Sequence, residues 1–361
     1  MSFFGEIHRE VLPNGLQVIV AEDHTAPEVA LHLLLPTGAA ADPPGRAGLA
    51  HLVEHLAFAG SEHAPSYDGL LAGVGGESGA WTEADATAFW VRVPAGALDL
   101  ALFLESDRMG WLTFDERAVA TQRAVIEREA AETDWEGRRR LAALLWPPGH
   151  PYRNTVFGPP EQLGISLEEA RARLSPTGAS LAVVGDFDAE AALGRVRAWF
   201  ADVSGVSTVS DVSDVSDVSV ETSDTSAVSE GTVAWTTVPL SHPDRPALDL
   251  LAQVMRERLD ADVQAWSGRL GGTFTVEVPE GRRVERELRR KPSAEELRRA
   301  RGALRLAELE TLESAAGKAA ALNLCAVRTG EPDCLPEEWA ARERVDPTEA
   351  RRVAARWLSR E

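Results

Sequence analysis

Apolar positions at 16–21 (LQVIVA) and 29–35 (VALHLLL) form β-branched or alternating runs on either side of EDHTAP. That pattern predicts two neighbouring strands at the start of the chain. Pro and Gly in ADPPGRAG then end the strand pattern, and from Leu49 to Phe58 the apolar spacing becomes helical. After the Gly-rich turn GVGGESG, residues 86–94 (ATAFWVRVP) alternate as a strand, and 97–112 have helical spacing. A long helix is predicted from Asp115, an N-cap candidate, to about Leu145, since Gly137 is its one interior breaker. SLAVVGDFD (180–188) reads as a buried strand and turn, followed by an amphipathic helix over 189–203.

Residues 204–231 repeat Val-Ser-Asp with a period of three, which fits neither a helix face nor a strand. The segment lacks aromatic residues, so it is expected to be a flexible acidic linker. Beyond it, GTVAWTTVP predicts a strand, RPALDLLAQVMRERL a helix and GGTFTVEVP a strand. A long helix opens with a capping box at Ser293 and Glu296, and a last helix runs from about Pro347 to Leu358. Three segments follow: a first domain over 1–203, the linker 204–231 and a second domain over 232–361. The expected class is α+β, two related halves each with strands and helices.

With 361 residues the chain can bury two cores, and its 44% hydrophobic and 26% charged content is that of a globular protein. No apolar run approaches the roughly 20 residues of a membrane span, and MSFFGEIHREVLPNG lacks the pattern of an export signal. A net charge of −20 argues against nucleic acid and anionic lipid as partners. The two cysteines, Cys325 and Cys334, are expected to be unpaired thiols, which fits a reducing cytoplasm.

GLAHLVEHLAFAG (48–60) places His51, Glu54 and His55 within an apolar helix. Residues four apart share a helix face, so His51 and His55 can direct both imidazoles at one metal ion. Glu54 lies near that face, where a carboxylate can take a proton from an activated water. The order is His-x-x-Glu-His, the inverse of the common zinc-protease signature. A hydrolytic zinc site needs a third protein ligand; QRAVIEREAAE offers Glu127, Glu129 and Glu132, among which spacing does not choose.

Residues 12–60 resemble the N-terminal half of the M16 zinc metallopeptidases, which include pitrilysin, insulysin and the mitochondrial processing peptidase. GGESGAWTEADATAFWVRVP, LESDRMGWL, QRAVIERE, HPYRNTVFG and LAVVGDFD follow in family order, so the resemblance covers roughly residues 8–203. The second half is similar more loosely, in VAWTTVPLSHPDRPALDLLAQV, RLGGTFTVEV and SAEELRRARGAL. The resemblance implies two α/β-sandwich halves, each a mixed or antiparallel sheet covered by helices, forming a clamshell with a shortened second half. It implies Zn2+ as cofactor, His51, His55 and Glu129 as ligands and Glu54 as general base. It also implies that a peptide substrate adds as a strand along Gly79, Ala80, Trp81 and Thr82.

Three features depart from the family pattern. Gln122 stands where relatives carry a supporting Glu behind the metal. Gly79 stands where they carry an Asn, which removes a side-chain amide. Relatives use an Arg and a Tyr from the C-terminal half, whereas the two tyrosines here, Tyr67 and Tyr152, both precede residue 204. The resemblance therefore implies a metal-free, M16-like partner subunit that supplies the Arg and Tyr. The expected function is a zinc endopeptidase that cuts unfolded or precursor peptides as the catalytic subunit of a heterodimer. The alternative is a non-catalytic scaffold or peptide-binding subunit of such a complex.

Overall fold

The computed structural model describes residues 3–159, 163–204, 226–229, 231–278 and 281–359. They form two compact units, and neither is continuous in sequence. The first draws on Met1–Thr133, Asn154–Asp214 and Thr311–Cys334, the second on Asp134–Arg153, Val215–Glu310 and Leu335–Glu361. Each unit thus takes in a segment from the other side of 204–231. The expected linker lies mostly outside the described residues, and its stretch Ser226–Ser229 is a strand.

The first unit holds β1 (Ile7–Val11), β2 (Gln17–Glu22), β3 (Glu28–Leu35), β4 (Glu77–Thr82), β5 (Thr87–Pro94) and β6 (Ser180–Gly185). They form one sheet in the order β1-β2-β6-β3-β5-β4, with β2 and β6 parallel and every other pair antiparallel. The neighbouring strand pair expected at 16–35 is corrected. β2 pairs with β1 across the Leu12–Leu16 turn, and β6 inserts between β2 and β3. β6 is buried along its whole length, as an interior strand covered on both faces must be.

The helices of this unit are α1 (Leu49–Leu56), α2 (Tyr67–Ala72), α3 (Leu98–Trp111), α4 (Glu116–Glu132), α6 (Leu167–Arg173), α7 (Ala189–Phe200) and α11 (Ala315–Thr329). Leu31, Leu33, Phe89 and Val91 on one sheet face pack with Leu102 of α3, Val53 of α1 and Phe200 of α7. α11 covers β3 and β6 from the opposite face. There the fully buried Asn323 side chain donates to the backbone carbonyls of His32 (2.6 Å) and Ser180 (2.9 Å), and Lys318 pairs with Asp23 at 2.6 Å. Cys325 on α11 is disulfide-bonded to Cys334, which corrects the expectation of two unpaired thiols. The pairing needs residues 325 and 334 folded back on each other, and it removes the argument from free thiols for a reducing compartment.

The single helix expected over 115–145 is also corrected. α4 ends at Glu132 and α5 (Trp135–Leu145) begins after Asp134, whose carboxylate caps the new helix by accepting from Gly137 N at 3.0 Å. A Cβ on Gly137 would come within 1.9 Å of that carboxylate, so the glycine accommodates the cap. α5 belongs to the second unit and packs on β7 (Ser226–Ser229) and β8 (Thr232–Thr237).

With β9 (Asp262–Ser267) and β10 (Gly272–Glu277), these form the antiparallel sheet β7-β8-β10-β9. It is covered by α8 (Arg245–Leu259), α9 (Gly281–Arg289) and α13 (Pro347–Trp357), and α10 (Ala294–Thr311) and α12 (Leu335–Glu343) complete the unit. The capping box at the start of α10 is present: Glu296 N donates to Ser293 Oγ and Ser293 N to the Glu296 carboxylate. No helix among the described residues is long and apolar enough to cross a membrane.

Replacing Asn323 with Ala leaves the His32 and Ser180 carbonyls facing an apolar helix. Asn323→Ala is expected to lower the unfolding free energy by about 1–3 kcal/mol, read as a lower denaturant midpoint.

Candidate active site

α1 is seated from both ends of its apolar stripe. Leu49, Leu52 and Leu56 pack with Ile126 of α4 and Leu163, while Val53 enters the sheet core. The residues between these stripes, His51, Glu54 and His55, face α4 and β4. The helix has no side-chain cap at its own N-cap position, Gly48. Its first amides are held instead by Asp42, whose carboxylate accepts from Gly48 N (2.9 Å), Leu49 N (2.9 Å) and Ala50 N (3.0 Å). Arg173 stands 3.1 Å from the same carboxylate, and Asn154 Nδ2 donates to the Asp42 carbonyl at 2.9 Å. A carboxylate on exposed helix amides satisfies both the unpaired donors and the helix dipole.

Gly48 lies at φ +91°, and a Cβ there would come 2.7 Å from Gly158 N; one on Gly158 would meet Ala47 O at 1.7 Å. The two backbones touch because neither residue has a side chain. This contact brings Phe157 edge-on against the His51 ring, at 4.9 Å between centroids.

Three donor atoms converge between α1 and α4. His51 Nε2 and His55 Nε2 are 3.2 Å apart, and Glu129 Oε2 stands 3.6 Å from the first and 3.3 Å from the second. Ligands at about 2.0–2.1 Å from a tetrahedral zinc stand roughly 3.3–3.4 Å from one another, so the triangle has the size such an ion needs. Among the described residues this is the one group of three or more His, Cys, Asp or Glu side chains able to hold a metal. Glu127 and Glu132, the other candidates, are outside the group and exposed. On α4, Gln122, Ile126 and Glu129 are four and three apart and so share the face that meets α1.

The donor chemistry also fits a cation. Gln122 Oε1 can only accept, so His55 donates to it through Nδ1 (3.2 Å) and its Nε2 is left as a lone pair aimed at the Glu129 carboxylate. Burial, and then the neighbouring His55, hold His51 down to a pKa of about 3, so its ring is neutral near pH 7. With the His51 hydrogen on Nδ1, two lone pairs and a carboxylate meet in this half-buried spot, an arrangement that a cation between them would stabilise. The Gln122 carbonyl therefore supports His55 as a carboxylate would, without the extra charge.

Glu54 points the other way, toward the sheet. Its Oε2 accepts from the Thr82 hydroxyl at 2.5 Å; Thr82 Oγ1 lies 3.2 Å from Thr87 Oγ1, which donates to Thr37 O at 3.1 Å. Burial raises the Glu54 pKa above the ordinary carboxylate range, opposed by the Thr82 hydrogen bond. Gly79, Ala80, Trp81 and Thr82 all lie on β4, the last strand of its sheet. Ala80 packs against the core, while Gly79 and Trp81 fall on the opposite face. Asp42, Asn154, Phe157, Arg173 and Thr87 carry no signal in the sequence pattern. Asp42 in particular sits six residues before the N-cap position, beyond the reach of capping rules.

The sequence profile of the insulinase family (peptidase family M16) matches residues 17–150. The zinc protease PqqE of Helicobacter pylori is 26% identical over 204 residues, which is 52% of this chain and 45% of that protein. The chain thus spans less than half the length of that relative, and less again of other curated relatives. Among solved structures, a protease from Helicobacter pylori superposes with a TM-score of 0.80 at 18% identity, covering 98% of this chain and 97% of that one. A peptidase M16 inactive domain from Pseudomonas fluorescens gives a TM-score of 0.77 at 15% identity over 98% of this chain and 95% of the other. At those identities the two likenesses bear on the fold, a mixed α/β architecture.

Metal analysis of purified variants tests the ligand triangle. Glu129→Gln is expected to lose bound zinc at least tenfold in affinity, whereas Glu127→Gln and Glu132→Gln keep wild-type zinc content.

Proposed function

We propose that this chain, which belongs to peptidase family M16, is a zinc-dependent endopeptidase. The observation that carries this reading is the His51–His55–Glu129 triangle with Glu54 one residue away on the same helix. Zinc held there would act as a Lewis acid toward a peptide carbonyl and lower the pKa of water toward neutrality.

Glu54 is the general base in this reading. Thr82 binds its Oε2, which leaves Oε1 to take the proton from the attacking water. When Oε1 holds that proton, Oε2 is still an acceptor and keeps the Thr82 hydroxyl hydrogen, while Thr87 Oγ1 keeps its own hydrogen on Thr37 O. The carboxyl then keeps a partner in both charge states, and its raised pKa eases return of the proton to the leaving amine.

A peptide strand lying on the free edge of β4 would pass directly beside this base, because Thr82 belongs to the edge and to the Glu54 contact at once. Precursor or other unfolded peptides suit such an edge, since only an extended backbone can pair with it.

We further infer a metal-free partner subunit that supplies an Arg and a Tyr. Both tyrosines of this chain are buried and committed: Tyr67 donates to Glu105 at 2.8 Å, and the Tyr152 hydroxyl accepts from Leu270 N at 2.9 Å. Neither hydroxyl is placed to stabilise an oxyanion. The likeness to an inactive M16 domain favours one second reading, a peptide-binding subunit that does not turn over.

Comparing the wild type with Glu54→Gln separates these readings: the wild type is expected to cut peptide, and the variant to retain zinc and cut none, whereas a subunit that does not turn over cuts none in either form. Cutting undiminished by the substitution refutes the assigned role. Activity of the wild type should fall as pH drops through the raised Glu54 pKa, since only the carboxylate accepts a proton. Thr82→Val removes a hydrogen bond that favours the charged form. It should therefore shift that acid limb to higher pH and lower kcat/KM about 10- to 100-fold.

A further inference from the structure

The sheet face turned away from α1 carries two tryptophans that cross over each other's strands. Across β4, β5 and β3 the register aligns Gly79 with Trp90 and Trp90 with His32, so all three positions share this face. Trp81 of β4 leans inward over the buried Ala88, its opposite on β5, and its ring comes within 6.4 Å of the His32 ring on β3. Trp90 of β5 leans outward. A Cβ built on Gly79 would stand 2.7–2.8 Å from Cε2, Cζ2 and Nε1 of its indole, so the ring lies where a side chain at 79 would go. α11 covers β3 and β6 on this face, while Trp81 and Trp90 stay half-buried.

We propose that Trp90 forms a side-chain subsite that selects the substrate residue paired with Gly79, favouring an aromatic or long aliphatic side chain there. The inference rests on the edge-strand reading of β4. Side chains of a paired strand share the face of the residue opposite, and the added strand lies about 4.8 Å from β4. The peptide residue opposite Gly79 therefore projects onto this face beside a residue that has no side chain of its own. Its nearest neighbour is the indole, which has a wide apolar surface and loses little conformational freedom on contact. An acidic or glycine residue at that peptide position gains nothing from the ring.

Glycine at 79 is thus the residue that lets an inner-strand tryptophan reach the edge. An ordinary side chain at 79 would push the indole aside and close the subsite.

Peptides that differ at single positions are measured in two ways on the full chain. They are titrated onto the Glu54→Gln variant by fluorescence polarisation, and their cleavage rates are compared on the enzyme with its partner. One peptide position is expected to show about tenfold preference for Phe or Leu over Gly, and Trp90→Ala should reduce that ratio to within twofold. Gly79→Ala, which displaces the indole from the neighbouring strand, should remove the same preference at the same position. Trp90→Phe should retain part of it, and reports on the subsite if Trp90→Ala does not fold. Peptides bound with a preference that survives both Trp90→Ala and Gly79→Ala overturn the subsite alone. No peptide bound or cut by any form overturns the edge-strand reading and the subsite with it.

Discussion

The Asp42 carboxylate on the first amides of α1 is the contact on which the rest of the site depends. α1 is only eight residues long, too short to hold itself as a helix in water. Three charge-assisted hydrogen bonds at one end and a leucine stripe against α4 along its side fix its position and rotation. A rotation of α1 by one residue, about 100°, would turn His51 and His55 away from Glu129 and Glu54 away from Thr82. The contact of Gly48 with Gly158 then closes the segment over the buried side of His51.

With α1 fixed, its two polar faces are divided between two jobs. The face toward α4 presents lone pairs, and α4 answers with a carboxylate and an amide on a single stripe. The face toward β4 presents one carboxyl, and the sheet answers with the Thr82 hydroxyl that donates to it. The strand that receives this carboxyl is also the sheet's open edge. In the proposed reading, activation of the nucleophile and placement of the substrate are therefore coupled through Thr82, and a change in the pitch of β4 would disturb both.

The local features were legible in the sequence because they depend on spacing. His51 and His55 share a face by helical periodicity, β6 is a continuous apolar run, and the Ser293–Glu296 capping box needs only four residues. The choice of Glu129 over Glu127 and Glu132 came from the family resemblance, and it is Glu129 that α4 turns toward the histidines.

Features set by distant parts of the chain were not legible. The insertion of β6 between β2 and β3 joins residues about 160 apart, which no window detects. The break between α4 and α5 depends on whether Asp134 caps or continues a helix, and both are compatible with its neighbours. The disulfide needed α11 to be seen first, and α11 is held in place by Asn323 meeting carbonyls on β3 and β6, 291 and 143 residues earlier in the chain. Trp90 read as an ordinary strand residue, and Gly79 as a lost amide, until the register set one beside the other.

The central claim is that one divalent ion lies between two imidazoles of α1 and one carboxylate of α4. X-ray absorption at the zinc edge of the zinc-loaded protein measures that coordination directly. The account predicts two imidazole nitrogens and oxygen ligands at about 2.0–2.1 Å. A spectrum lacking the imidazole scattering contributions, or fitted by a ligand set without two histidines, would contradict it.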